Sequence, residues 1–206
     1  MPLWRLRARR YMINIKEWIS NDGTLRIPTF LNVGSMKDTQ GLRYQLQMVG
    51  HNTFDKLHDL KKLIIPATVT NMEWCFYQCY NMAEIIVDDD NPEFCSIDGV
   101  LFTKDKKKLY VYPNAHGKEY DIPEGVEEIM HFAFKSCKNI EVVRLSSSVR
   151  KIGINAFYEC PSLKTVFLPD DFRLIEQCTD KANIQCEFIH KGHKYTYSEI
   201  IEKFNH

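Results

Sequence analysis

The chain has 206 residues, of which 44% are hydrophobic and 26% are charged, as is usual for a folded domain. Its 27 lysine and arginine residues balance 27 aspartate and glutamate residues, so its net charge favours neither nucleic acid nor an anionic membrane as a partner. It contains no run of about 18 apolar residues, the minimum for a transmembrane helix. We therefore predict no nucleic-acid partner and no membrane insertion.

Residues 1–47 are predicted to form an N-terminal tail and cap. Arginines are dense between Arg5 and Arg10, and this cluster could contact RNA or acidic lipid, although a frayed terminus is the simpler interpretation. A secretory signal needs an apolar core of roughly 7–15 residues after such charges, and Asn14, Lys16 and Glu17 interrupt the next segment. We expect no signal peptide and a cytoplasmic protein.

Three later stretches repeat one pattern of apolar residues. The pattern from Val126 to Leu145 recurs from Val149 to Leu168, 23 residues later at each matched position. A third copy, from Val69 to Val87, is one residue shorter near its start. A fixed period of about 20–29 residues is typical of a solenoid, in which each unit buries its apolar face against its neighbours.

Each repeat is predicted to contain two short strands. In the copy that ends at Pro169, Val149 and Ile152 favour a first strand, and Leu-x-x-Leu-x-Leu spacing over 163–168 favours a second. The segment Asn155–Cys160 between them has the spacing of one helical turn, with Phe157 and Cys160 on one side. The inward positions of this segment form the predicted repeat core: Phe76, Cys79, Phe134, Cys137, Phe157 and Cys160.

Seven cysteines are present, and three of them occupy the same repeat position. Recurrence at one inward position predicts buried thiols, which behave as small hydrophobes and fit a reducing compartment. Cys75 and Cys79 are four residues apart and do not form the Cys-x-x-Cys motif of redox proteins.

The repeat register breaks between Val87 and Ile122. Ser96–Phe102 and Leu109–Pro113 flank a polar, lysine-rich segment, which predicts a β-hairpin inserted over about residues 88–120. The preceding run Asp88–Asn91 could bind calcium through its oxygens. It lacks the alternating ligands, glycine and distal glutamate of a calcium loop, so a solvated turn is the simpler interpretation.

The string Ile152–Pro169, which reads Ile-Gly-x-x-Ala-Phe-x-x-Cys-x-x-Leu-x-x-Val-x-Leu-Pro, resembles the BspA-like class of leucine-rich repeats. The resemblance covers about residues 48–177. It implies an α/β leucine-rich repeat solenoid: a curved, right-handed superhelix of short strands with one helical turn per repeat and an inserted hairpin. It also implies adhesion or binding to host and matrix proteins, with a cytoplasmic scaffold as the alternative.

Residues 178–206 are predicted to close the solenoid with a hairpin that turns at Lys191–Gly192 and a short helix capped by Ser198. Two cysteines and two histidines in this segment could instead bind zinc, because thiolate and imidazole are its usual ligands. They are Cys178, Cys186, His190 and His193, in a spacing that matches no common zinc finger.

No nucleophile elbow, phosphate-binding loop or paired acidic motif is present, so we predict a protein without enzymatic activity, cofactor or metal. Binding is predicted on the concave face of the solenoid, where alternate strand side chains point outward. Exposed apolar residues with an arginine among them suit a protein contact, although single exposed hydrophobes are common. The predicted partner-binding residues are Ile64, Ile86, Tyr110, Arg144, Thr165 and Phe167.

Overall fold

The computed structural model describes residues 5–6, 15–32, 43–73, 75–179 and 185–204, and short β-strands joined by tight turns dominate these segments. A 3-10 helix covers Ile15–Trp18 and an α-helix, α1, covers Tyr197–Phe204. The strands in chain order are β1 (Arg5–Leu6), β2 (Thr24–Arg26), β3 (Phe30–Asn32), β4 (Arg43–Gln45), β5 (Met48–Val49), β6 (Lys62–Ile65), β7 (Asn71–Met72), β8 (Glu84–Val87), β9 (Phe94–Ile97), β10 (Val100–Thr103), β11 (Lys108–Val111), β12 (Glu119–Asp121), β13 (Glu128–Ile129), β14 (Val142–Arg144), β15 (Lys151–Ile152), β16 (Thr165–Leu168), β17 (Leu174–Ile175), β18 (Glu187–His190) and β19 (His193–Tyr195).

The strands form two sets of stacked sheets. The strands that end each repeat form the front sheets: an N-terminal front sheet of β2, β6 and β8, and a C-terminal front sheet of β12, β14, β16, β18 and β19. The strands that begin each repeat form the back sheets: β1, β5 and β7 in the first, and β13, β15 and β17 in the second, which the insertion extends with β9, β10 and β11. Strands β3 and β4 pair as a separate antiparallel hairpin.

The repeat period is the length of one solenoid turn. Glu128 in β13 pairs in parallel with Lys151 in β15, and Val142 in β14 pairs with Thr165 in β16, each 23 residues further on. Every turn therefore places equivalent side chains in one column, as expected when each repeat contacts only its neighbours. The solenoid predicted from the repeats is confirmed, and it is mostly β.

The segment predicted as a helical turn forms tight turns instead. Asn155 and Glu159 adopt left-handed backbone conformations, with φ of 52° and 56°, and the equivalent Phe132 and Ser136 do the same at 61° and 63°. These conformations interrupt a right-handed helix. Alternate amides bond to the next turn and within the segment: Ser136 N donates to Tyr158 O at 2.8 Å, whereas Cys137 N donates to Phe134 O at 3.1 Å.

Five of the six predicted core residues are fully buried. Cys79, Phe134, Cys137, Phe157 and Cys160 are at most 1% exposed. Phe76 is the exception: it is half-buried and stacks on Phe54 at 5.4 Å, while Cys75 takes the fully buried position beside it. Cys75 stands at the position of Ala133 and Ala156, which are equally buried, so only the aromatic position of this copy differs.

The recurring cysteines link successive turns through their thiols. Cys79 Sγ donates to Phe54 O at 2.8 Å and Cys160 Sγ donates to Phe134 O at 3.0 Å. Thr179 makes an analogous bond to the carbonyl oxygen of Phe157 at 3.3 Å. Burial raises the pKa of Cys79 to about 12, which keeps this thiol protonated as a hydrogen-bond donor.

The insertion is a three-stranded meander, and it separates two hydrophobic cores. The prediction of one strand over Ser96–Phe102 is wrong, because Asp98 and Gly99 have φ of 48° and 80° and turn the chain between β9 and β10. The N-terminal core consists of buried side chains between Ile15 and Leu101, and the C-terminal core of buried side chains between Val100 and Ile200. In β10, Leu101 packs into the N-terminal core, whereas Val100 and Phe102 pack into the C-terminal core. Strand β10 is therefore buried on both faces.

The C-terminal end of the solenoid is closed by the β18–β19 hairpin and helix α1. The hairpin turns at Lys191 and Gly192, with φ of 53° and 76°. The predicted cap residue Ser198 is wrong: Thr196 N donates to Glu199 Oε2 at 2.7 Å, and Glu199 N donates to Thr196 Oγ1 at 3.4 Å. This reciprocal pair is a capping box, which fixes the start of the helix that buries Ile200.

Candidate protein-binding surface

The front surface is divided into two sheets by the insertion. The turn at Asp98–Gly99 lies against β8, where Ile85 N donates to Gly99 O at 2.8 Å and Val87 N donates to Ser96 Oγ at 3.2 Å. The chain returning to β12 crosses the same place, since His116 Nδ1 lies 2.9 Å from Ala83 O. The outward side chains predicted to bind a partner therefore lie in two separate columns rather than in one continuous column.

The N-terminal front sheet carries the first column. Arg26, Ile64 and Ile86 are in register on its three parallel strands. The two isoleucines are half-buried and Arg26 is exposed. Together they line a depression of about 370 Å³.

The C-terminal front sheet carries the second column. Asp121, Arg144, Phe167 and Ile189 are in register on β12, β14, β16 and β18. The Arg144 guanidinium lies over the Phe167 ring, with its carbon 5.5 Å from the ring centroid. Half-buried Thr165 occupies the adjacent column.

Two carboxylates hold the Arg144 guanidinium in place. Arg144 donates to Glu119 Oε2 at 2.9 Å and to Asp121 Oδ1 at 3.2 Å. The hydrogen bonds to Glu119 and Asp121 raise the pKa of Arg144. The Phe167 ring thus lies under a cation that two carboxylates orient.

Tyr110 does not belong to the front surface, and its predicted place there is wrong. It lies on β11, which pairs with β13 in the back sheet. Its hydroxyl donates to Met72 O, its ring meets Phe94 edge-on at 5.1 Å, and burial raises its pKa to about 12. The prediction assumed that the hairpin strands extend the front surface.

Two residues of the front columns were missed by sequence reasoning. Arg26 stands between apolar Leu25 and Ile27, which is the same signal that identified Ile64. Ile189 follows Phe167 by 22 residues and pairs with it, although the repeat pattern fades before that point.

The back surface carries a ladder of charged side chains, and the front sheets also carry ion pairs, such as Lys62–Glu84 and Lys194–Glu187, beside their outward columns. Lys108 and Lys151 lie on either side of Glu128, at 2.9 and 3.2 Å from its two carboxylate oxygens. Lys151 Nζ also forms an ion pair with Glu176 Oε1 at 3.3 Å. This alternating ladder neutralises itself, whereas the front columns expose apolar and aromatic groups.

The candidate metal ligands have other roles. Asp88 accepts a hydrogen bond from Asp90 N at 3.0 Å, and buried Asn91 donates to the carbonyl oxygens of Pro66 and Val69, at 2.9 Å each. His190 Nε2 lies 3.2 Å from Asp170 O, and His193 is exposed. Within the described segments, no three histidine, cysteine or acidic side chains are grouped to hold a metal ion.

None of the helices within the described residues is both long and apolar enough to cross a bilayer.

A BspA-type leucine-rich repeat model, present in six copies, matches residues 26–111 and 106–198. The chain belongs to the BspA-type leucine-rich repeat family. A search of curated proteins found no match to this chain.

Two solved structures of bacterial proteins are similar to this BspA-type chain. The pneumococcal vaccine antigen PcpA is 29% identical over 63% of this chain and 32% of its own, with a TM-score of 0.58. A leucine-rich cell surface protein from Faecalibacterium prausnitzii is 24% identical over 70% of this chain and 45% of its own, with a TM-score of 0.53, and it supports the fold alone. The chain thus spans less than half the length of either structure.

Proposed function

We propose that this chain is a non-catalytic module that binds a protein partner through its front sheets. The observation that carries the proposal is the Arg144–Phe167 pair, in which a cation fixed by two carboxylates covers a half-buried aromatic ring. Arginine and aromatic side chains are the residues that most often dominate the binding energy of protein interfaces. Their fixed geometry reduces the entropy lost on binding.

An adhesion-related role is the form of this function that we favour. The support is the likeness to PcpA, a vaccine antigen of a bacterial pathogen. A scaffold inside the cell is the alternative, because the same surface would serve either partner. The two forms differ in where the partner is found rather than in how the surface binds it.

The test compares binding by Phe167→Ala, Arg144→Ala and the unmodified chain. Panels of extracellular-matrix and host-surface proteins, and a lysate of the source cells, are screened with immobilised protein, and the affinity of each protein that binds is then measured. We expect each substitution to weaken binding about tenfold or more, as for truncation of an interface anchor.

The matched control is Ile154→Ala, which removes an apolar side chain that is 45% exposed on a turn away from the front columns. Thermal unfolding of all variants checks that the fold is kept. A partner whose affinity falls equally with Ile154→Ala, or does not fall with Phe167→Ala, would place the interface elsewhere.

A further inference from the structure

The two front columns contain an arginine in a comparable position, but among the described residues only one of these arginines has acidic partners. Arg144 pairs with Phe167 on the neighbouring strand, and Arg26 pairs with Ile64 in the same way. In each pair the arginine lies on the earlier strand. Glu119 and Asp121 neutralise Arg144. No carboxylate forms an ion pair with Arg26 within the part of the chain that the structure describes.

The depression beside Arg26 is apolar in its middle. Ile64, Ile86 and Pro66 line it, and Lys62 at its side is already paired with Glu84 at 2.9 Å. Among the described residues, the Arg26 guanidinium therefore has no ion-pair partner and lies next to an aliphatic surface. A guanidinium binds a carboxylate through two parallel hydrogen bonds, so an acidic group is its natural complement.

The two ends of the depression carry opposite charges. Asp88 lines it beyond the end of β8, on the far side from Arg26. Its carboxylate disfavours an acidic group at that end, so an acidic ligand is attracted only at the Arg26 end. Strands lie about 4.8 Å apart, so the two steps from Arg26 to Ile86 cover about 10 Å, which an extended peptide spans with about three residues.

We propose that the N-terminal front sheet binds an extended segment of a protein partner, with an acidic side chain on Arg26 and aliphatic side chains on Ile64 and Ile86. This inference rests on the proposed function and specifies the partner. The partner's carboxylate neutralises the charge of Arg26, as Glu119 and Asp121 neutralise that of Arg144. Its aliphatic side chains cover the half-buried isoleucines, which removes further apolar surface from water.

The experiment is methyl NMR on the full chain labelled at isoleucine δ1 positions. Ile64 and Ile86 report on the N-terminal front sheet, Ile189 reports on the C-terminal one, and Ile154 reports on a distant turn. The probe is a blocked peptide, acetyl-Thr-Glu-Thr-Val-Thr-Ile-Thr-amide, in which glutamate, valine and isoleucine lie on one face of the extended chain, compared with the same peptide carrying glutamine in place of glutamate. Binding is measured with the unmodified chain, with Arg26→Gln, and with the matched control Arg173→Gln at an exposed position.

We expect saturable shifts at Ile64 and Ile86 with the glutamate peptide. Affinity should fall about tenfold or more with the glutamine peptide or with Arg26→Gln, which is the loss expected for a charge-assisted hydrogen bond. Arg173→Gln should leave affinity unchanged. Equal affinity for both peptides, or no shift at Ile64 and Ile86, would overturn the inference. Shifts at Ile189 alone would overturn it while leaving the proposed function standing.

Discussion

At the scale of single residues, glycine and cysteine show how closely the turns are packed. A Cβ on Gly153 would lie 2.8 Å from His131 N and 3.1 Å from Ile129 O, both backbone atoms of the preceding turn. Only a glycine allows that approach without displacing the backbone. The glycine in the Ile152–Pro169 string is therefore explained by contact with the turn before it rather than by its own conformation.

Cys160 provides a test of the thiol as a hydrogen-bond donor. Threonine keeps a donor at this position and valine has the same shape without one, so Cys160→Thr should be more stable than Cys160→Val by about 1 kcal/mol. The difference is modest because Phe134 O also accepts a hydrogen bond from Cys137 N at 3.1 Å. Urea denaturation of both variants measures it, and a valine variant as stable as the threonine variant would show that Cys160 acts only by its volume.

At the scale of elements, the stability of the back sheet depends on pH through its charged ladder. Burial raises the pKa of Glu128, but hydrogen bonds to Lys108 and Lys151 outweigh burial, so the pKa is lowered from its ordinary value of 4.5. A carboxylate with a lowered pKa stabilises the folded state fully above that ordinary value. The stabilisation is lost as pH falls through the folded-state pKa.

Glu128→Gln should therefore lower the free energy of unfolding by about 0.5–1 kcal/mol at pH 7, the range for partly exposed ion pairs. The variant and the unmodified chain should converge in stability as pH falls below about 4, where the carboxylate is protonated in both states. Denaturation midpoints between pH 3 and 8 measure this. Exposed Glu124→Gln is the comparison for a carboxylate outside the ladder, and a constant difference across the pH range would contradict the ladder's role.

At the scale of the whole molecule, strand β10 belongs to two hydrophobic cores, and its side chains can be removed from one core at a time. Leu101 packs in the N-terminal core and Phe102 in the C-terminal core. Leu101→Ala should lower the free energy of unfolding by about 2–5 kcal/mol, as for other buried leucines. Because each turn contacts mainly its neighbours, the loss should be local.

Hydrogen exchange followed by mass spectrometry tests that locality. Leu101→Ala should raise exchange in β6 and β8 more than in β14 and β16, and Phe102→Ala should do the reverse. The same exchange profile for both variants would show that the two cores unfold as one unit.

The repeat core could be predicted from the sequence, whereas the division of the front surface into two sheets could not. The 23-residue offset is a local property of the sequence, and it correctly gave the parallel register of β13 with β15 and of β14 with β16. The Asp98–Gly99 turn was missed although Asp-Gly is a strong hairpin signal, because the apolar residues on both sides suggested a continuous strand. Tyr110 was misplaced because only one neighbour of β11 was predicted, its hairpin partner β10, whereas its parallel pairing with β13 in the back sheet cannot be read from the local sequence.

The sequence by itself determined the solenoid, its period, its family and most of its inward column, since each follows from apolar spacing repeated along the chain. The tertiary structure decided which charges are paired, how β10 separates two cores, and that Arg144 has two carboxylate partners while Arg26 has none among the described residues. The physical reason is the distance along the chain between interacting residues. The burial of a repeat depends on neighbours at a fixed offset, whereas the pairing of a surface charge depends on side chains that an insertion brings near or keeps apart.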